Sequence, residues 1–217
     1  MDFEQARINM IKQQIRCNEV VDDAILALFD NIHREDFIPE QFNHLALADT
    51  CIPLAHGQQT LTPMVEAKVL HYAAIGADDN VLEIGTGCGY LTALLGKSGK
   101  TVQSIDIFQD FTDHTGRSLQ AYGIDNVQLH TGDAVRGWPG RAPYDVIIVT
   151  GSVPVLETCF QEQLKTGGRL FVIVGQSPAM EARLITRTGR QSWESVCLFE
   201  TDVPPLIGAP QPESFQF

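Results

Sequence analysis

The densest chemistry in the sequence lies in one run, Val81-Leu82-Glu83-Ile84-Gly85-Thr86-Gly87-Cys88-Gly89-Tyr90. An apolar, strand-like stretch passes into three glycines at every second position, and helical spacing follows. Glycine lets a chain turn sharply and lets a ligand approach the main chain. Free N–H groups at the start of the following helix bind polar atoms. Glu83 adds a carboxylate that can hold an ammonium group, directly or through water. Three more acids fall near strand ends. Asp106 stands about 20 residues beyond the loop, where a carboxylate accepts hydrogen bonds from ribose hydroxyls. Asp133, in Gly132-Asp133-Ala134, can take an adenine amino group. Asp145 precedes an apolar run and divides between the same crevice and a structural role. A dinucleotide fingerprint requires glycine where Tyr90 stands, so that reading is excluded. Gly99-Lys100-Thr101 mimics the end of a phosphate loop. The motif's first glycine would fall on Leu94, and the segment enters a strand instead of leaving one, so it is rejected as well.

These residues need a sheet to hold them. From residue 79 short β-rich runs alternate with helical spacing: Asn80–Ile84, a helix from about Tyr90, Val102–Ile105, a helix near 109–122, Val127–Leu129, Val146–Val149, a helix near 154–164, and Leu170–Val174. Such alternation predicts a parallel sheet. The unbroken apolar runs 146–149 and 170–174 fit strands covered on both faces. Ala182–Thr186 and Val196–Phe199 around Thr188-Gly189-Arg190 predict a hairpin. Upstream, 2–17 and 22–32 carry helical spacing, 33–62 reads as irregular, and Thr62-Pro63 starts a helix to about Ala74, with Thr as N-cap and Pro at the first helical position. The expectation is an α/β, doubly wound, mostly parallel seven-stranded sheet of Rossmann-like type. It carries an antiparallel C-terminal hairpin and an N-terminal helical cap with substrate loop over 1–78, and the cofactor fold spans 79–217.

A Gly-x-Gly-x-Gly loop with an acid on the preceding strand is the class I methyltransferase pattern, whose ligand, S-adenosyl-L-methionine, has an amino-acid end and no pyrophosphate. Beyond that motif, the chain resembles the protein-L-isoaspartate O-methyltransferase family along most of its length. Met10-Ile11-x-Gln13-Gln14-Ile15 and Arg34-Glu35-x-Phe37-Ile38-Pro39 look like the family's opening helix and its Pro-Arg-x-x-Phe-Val-Pro segment. Ala48-Asp49, Pro53-Leu54 and Gly57-Gln58 resemble the approach to its substrate loop. Gly137-Trp138-Pro139 with Ala142–Thr150 is the most family-specific run, and Leu164–Leu170 and Pro205-Leu206-x-Gly208 extend the likeness. The resemblance implies methylation of the abnormal carboxylate of isoaspartyl residues in damaged proteins. It implies S-adenosyl-L-methionine held by Glu83, Gly85, Thr86, Gly87, Gly89, Asp106, Ile107, Asp133 and Ala134.

The substrate loop departs from the family pattern. The family reads Gln-Thr-Ile-Ser, one residue, then Pro, and the serine matters for catalysis. Aligned from Pro63 without gaps, that serine falls on Leu61. A one-residue shift matches Gln59-Thr60-Leu61-Thr62 and places Thr62 before Pro63. Thr62 and Thr60 are the expected catalytic hydroxyls, orienting an acceptor carboxylate, with helix capping the competing role for Thr62. Arg34 and His56 are candidate cations for an anionic acceptor, against packing roles. The altered loop keeps two alternatives open: another small-molecule or tRNA acceptor, and a cofactor-binding relative without catalysis. Base amino-methylation is disfavoured, because Thr150-Gly151-Ser152-Val153-Pro154 offers no amide or carboxylate to hold a base amine.

Bulk composition narrows the setting. The 217 residues are 44% hydrophobic with a net charge of −12. The acidity disfavours nucleic-acid partners, which a basic excess would attract. No run reaches the ~18 apolar residues of a membrane helix. The opening MDFEQARINMIKQQIR lacks the apolar stretch of a signal peptide, so a cytoplasmic setting is expected. Five scattered cysteines without a Cys-x-x-Cys pair suggest neither a disulfide framework nor zinc, and the histidines have no metal-binding spacing. Monomer and homodimer both remain open.

Overall fold

The computed structural model describes residues 2–212. Its sheet has seven strands: β1 (Asn80–Ile84), β2 (Thr101–Asp106), β3 (Val127–Thr131), β4 (Tyr144–Val153), β5 (Leu164–Gln176), β6 (Ala179–Gly189) and β7 (Ser192–Thr201). The order across the sheet is β3-β2-β1-β4-β5-β6-β7. β1 to β5 pair in parallel, and β6 and β7 form an antiparallel meander on β5. The strand order reverses between β1 and β4, which opens a crevice at their carboxyl ends, where open α/β sheets bind ligands.

Among the described residues six α-helices accompany the sheet: α1 (Phe3–Asn9), α2 (Asp23–Asn31), α3 (Pro63–Ala73), α4 (Tyr90–Ser98), α5 (Gln109–Ala121) and α6 (Cys159–Glu162). Strand alternation sorts the core into two layers. Val81, Val102, Val146 and Ile148 face a layer that includes Phe29, Leu70 and Leu94. Leu82, Ile84, Ile147 and Val149 face Tyr144, Phe160 and Leu164. The N-terminal segment thus shares its core with α4 and β1 instead of standing apart from them.

The opposite face carries less helix than the sequence pattern predicts. A helix over 154–164 is expected, and only Cys159–Glu162 forms. β4 runs on to Val153, which pairs with Val174, because a residue before proline is driven to extended backbone and Pro154 follows. β5 already begins at Leu164, opposite Tyr144. The hairpin is longer than expected, with Gly189 facing Ser192 across its turn.

Candidate active site

The glycine loop is shaped by its neighbours. Gly85, at φ +97°, lies so close to β4 that a Cβ there would meet Thr150 Oγ1 at 2.1 Å. Thr150 Oγ1 donates to the carbonyls of Ile84 and Gly85, both at 2.9 Å, and so fixes the strand-to-loop corner. Gly89, at φ +86°, abuts Thr115 on α5 and caps α4. Gly87, also at positive φ, has only Leu54 near the place of its missing Cβ, at 3.8 Å.

Beyond this loop a groove runs along the carboxyl ends of the strands. Gly85, Gly87, Asp106, Ile107, Asp133 and Ala134 all line it. Asp106 ends β2 and is nearly buried; its two oxygens accept from the N–H groups of Gly87 (2.9 Å) and Phe108 (3.0 Å). Burial raises its carboxyl above the ordinary range, although those N–H groups pull it down. Asp133 is exposed, and its Oδ1 accepts from Val135 N–H at 2.9 Å. Ile107 is 40% exposed and Ile207 46%; with Phe108 and Leu206 they give the groove apolar walls.

A smaller compartment continues from the groove past Gly85, Thr86 and Gly87 toward Thr60 and Glu66. Glu66 was not singled out from the sequence. Its carboxyl is pushed up to about 7 by burial, against the pull of Arg34. Among the described residues it is the one acidic side chain that lines this compartment.

Glu83 does not face the groove. It shares the face of β1 with Val81, under α4, and is fully buried. Thr92 and Ser104 each donate to its Oε2 at 2.6 Å, while Oε1 has no partner. Burial pushes its carboxyl up to about 8. Ser104 also meets Thr86 Oγ1 at 2.7 Å, so Glu83 anchors the glycine loop from behind through two hydroxyls.

The two expected hydroxyls separate. Thr62 caps α3: its side chain accepts from Val65 N–H at 3.4 Å, and it lines neither space. Thr60 lines both, with its hydroxyl 3.0 Å from Arg34 Nη2 and from Ile52 N–H. Asp145 lies at the other end of the sheet, tying Asn80 N–H (2.8 Å) to Lys165 Nζ (2.6 Å). Burial alone would raise its carboxyl; those partners outweigh burial and lower it. His56 stacks on Phe108 with ring centroids 3.9 Å apart and faces the Asp110 carboxylate at 3.0 Å, at the rim of the groove.

The sequence matches the family described as protein-L-isoaspartate(D-aspartate) O-methyltransferase over residues 5–202. The chain belongs to that family. It is 35% identical over 98% of its length to protein-L-isoaspartate O-methyltransferase 1 of Rhodopseudomonas palustris, covering 90% of that relative. It is 33% identical to the Brucella anthropi protein-L-isoaspartate O-methyltransferase, with 95% of each chain aligned. In fold it is similar to a Plasmodium falciparum β-aspartate methyltransferase crystallised with S-adenosyl-L-homocysteine. The TM-score is 0.78 at 17% identity, over 95% of this chain and 98% of that one.

Proposed function

We propose that this family member transfers a methyl group from S-adenosyl-L-methionine to the free carboxylate of L-isoaspartyl residues in damaged proteins. The observation that carries this reading is the convergence on one groove of the glycine loop, Asp106, Asp133 and Thr60. The residues fit the cofactor. Asp106, with both oxygens already aligned by backbone donors, meets ribose hydroxyls. Asp133 and the apolar walls of Ile107 and Ala134 receive adenine. The compartment behind Gly85 and Gly87 admits the amino-acid end, where Glu66 takes the place expected for Glu83 in facing the ammonium group.

When bound, the cofactor supplies a methyl group on a sulfonium, open to in-line displacement. A carboxylate is already ionised and nucleophilic near neutral pH, so the chain has no proton to remove. Its contribution is alignment and exclusion of water. Thr60 donates its hydroxyl proton to one acceptor oxygen, leaving the other directed along the line of transfer. Arg34 is sealed and His56 is engaged by Asp110, so neither meets the acceptor directly.

We place the protein in the cytoplasm. All five cysteines are free, which suits a reducing compartment, and among the described residues no helix is long and apolar enough to cross a membrane. The deciding experiment incubates the protein with methyl-labelled cofactor and matched peptides bearing isoaspartate or aspartate. Base-labile label on the isoaspartyl peptide alone is expected. No label on it, with cofactor still bound, would leave only the cofactor reading.

A further inference from the structure

We infer that Arg34 is a positioning residue for methyl transfer: it sets the Thr60 hydroxyl as a one-way donor toward the acceptor carboxylate. This rests on the reading of Thr60 above and goes beyond it.

Arg34 opens a short 3-10 turn, Arg34–Asp36, and is completely buried. Its guanidinium reaches four residues in three segments. Nε donates to Glu66 Oε2 (3.1 Å), Nη1 to the Ala46 carbonyl (2.7 Å), and Nη2 to both Thr60 Oγ1 (3.0 Å) and the Leu61 carbonyl (2.6 Å). Ile52 N–H donates to the same Thr60 oxygen at 3.0 Å. A hydroxyl has two lone pairs and one proton. Two N–H donors occupy the lone pairs of Thr60, so its proton is left to be given away. Thr60 lines the groove, and an acceptor oxygen bound there can take the proton's hydrogen bond. A hydroxyl fixed in this sense before substrate arrives needs no reorientation during the reaction. The cation beside the oxygen also strengthens it as a donor.

The ion pair with Glu66 does not by itself call for an arginine here. A buried ion pair is often replaceable by apolar side chains of similar volume at no loss, and the surroundings, Phe37, Ala46 and Tyr90, are apolar core. What an apolar residue cannot supply is a donor aimed at Thr60 Oγ1. Lysine keeps the charge but not the planar fork that serves several acceptors together.

The test is a four-protein cycle of wild type, Arg34→Lys, Thr60→Val and the double variant. The readout is kcat on an isoaspartyl peptide at saturating cofactor and peptide, beside thermal melts. Arg34→Lys should lower kcat about tenfold with Thr60 present, equivalent to ~1.4 kcal/mol, and less than about twofold with Val at 60. Equal losses on both backgrounds would overturn the positioning role while leaving Thr60 in place. A Thr60→Val variant with wild-type kcat would overturn the Thr60 reading and this one with it. Arg34→Gln is the second variant if Arg34→Lys does not fold. If neither folds, Arg34 serves structure and the inference fails.

Discussion

The buried Glu83 makes stability depend on pH with a definite sign. Its carboxyl is pushed from an ordinary 4.5 to about 8 by burial, which the hydroxyls of Ser104 and Thr92 only partly offset. The folded state therefore holds a proton that the unfolded state releases. The stabilisation is complete below about pH 4.5 and is lost as pH rises through about 8. One pKa unit corresponds to about 1.4 kcal/mol, so the interval amounts to roughly 5 kcal/mol at alkaline pH, comparable to a large part of a domain's net stability. Glu83→Gln imitates the protonated acid: its carbonyl accepts from Thr92 and Ser104, and its amide fills the place of the unpartnered Oε1. Urea unfolding between pH 5 and 9 is the assay. Wild type should weaken steadily over this range. The variant should match it within about 1 kcal/mol at pH 5, lose most of the slope, and exceed it at pH 9. The remaining slope belongs to Glu66, raised to about 7 by the same cause. A Glu83→Gln protein that keeps the full slope and is weaker than wild type at pH 9 would refute the argument.

The other predictions concern the groove. Asp106→Ala should weaken cofactor binding by about tenfold or more in calorimetry, since a charge-assisted hydrogen bond contributes ~1.5–3 kcal/mol; an affinity within twofold of wild type would remove Asp106 from the site. Glu66→Gln should raise the cofactor Kd severalfold and leave kcat at saturation nearly unchanged. Gly85→Ala forces a Cβ onto Thr150 Oγ1 at positive φ, and should lower both the melting temperature and cofactor affinity, the latter read by calorimetry on the folded fraction. Thr62→Asn should keep the cap and the activity in the methyl-transfer assay, whereas Thr60→Val should cut kcat by at least about tenfold.

The cofactor half of the groove was legible because it is local. Asn80–Gly89, Asp106 and Gly132–Ala134 each sit where a strand ends, and strand ends can be read from apolar runs and glycines. Glu83, expected to hold an ammonium group directly or through water, is buried under α4 and bonded to Thr92 and Ser104. The signal was present: with a period of two, Glu83 must point with Val81 and away from Leu82 and Ile84. Asp145 was recognisable as standing at a strand's start, and the structure puts it at the far end of the sheet. Arg34, Glu66 and Thr60 could not be assembled from the sequence. Their contacts join residues 26 and 32 positions apart, across a stretch without regular periodicity. The short α6 failed for a local reason, since the chain at Val153-Pro154 prolongs a strand.

This division explains how the substrate loop can differ from the family pattern while the cofactor end does not. The start of α3 is pinned by two independent features, the Thr62 cap and Pro63 in the first turn. A slip that carried Thr62 into the groove would remove its hydroxyl from Val65 N–H and draw Pro63 out of the position its fixed φ favours. The register at Pro63 is therefore set by the helix, and in the ungapped alignment from Pro63 Leu61 stands opposite the serine of the family pattern it resembles. A hydroxyl for the acceptor then has to come from a neighbouring residue whose side chain reaches the same space. Thr60 does so because the strand-like bridge at Pro53 and Gln59, its own N–H bond to Ile52 (2.9 Å) and the Arg34 guanidinium hold that backbone against the N-terminal layer. The hydroxyl's position is thus fixed by residues 34–61, whereas the groove's glycine loop, Asp106 and Asp133 belong to the strand ends beyond residue 79. Changes in acceptor preference should arise at Thr60 and Leu61 with little cost to cofactor affinity, provided the Arg34–Glu66 pair is kept.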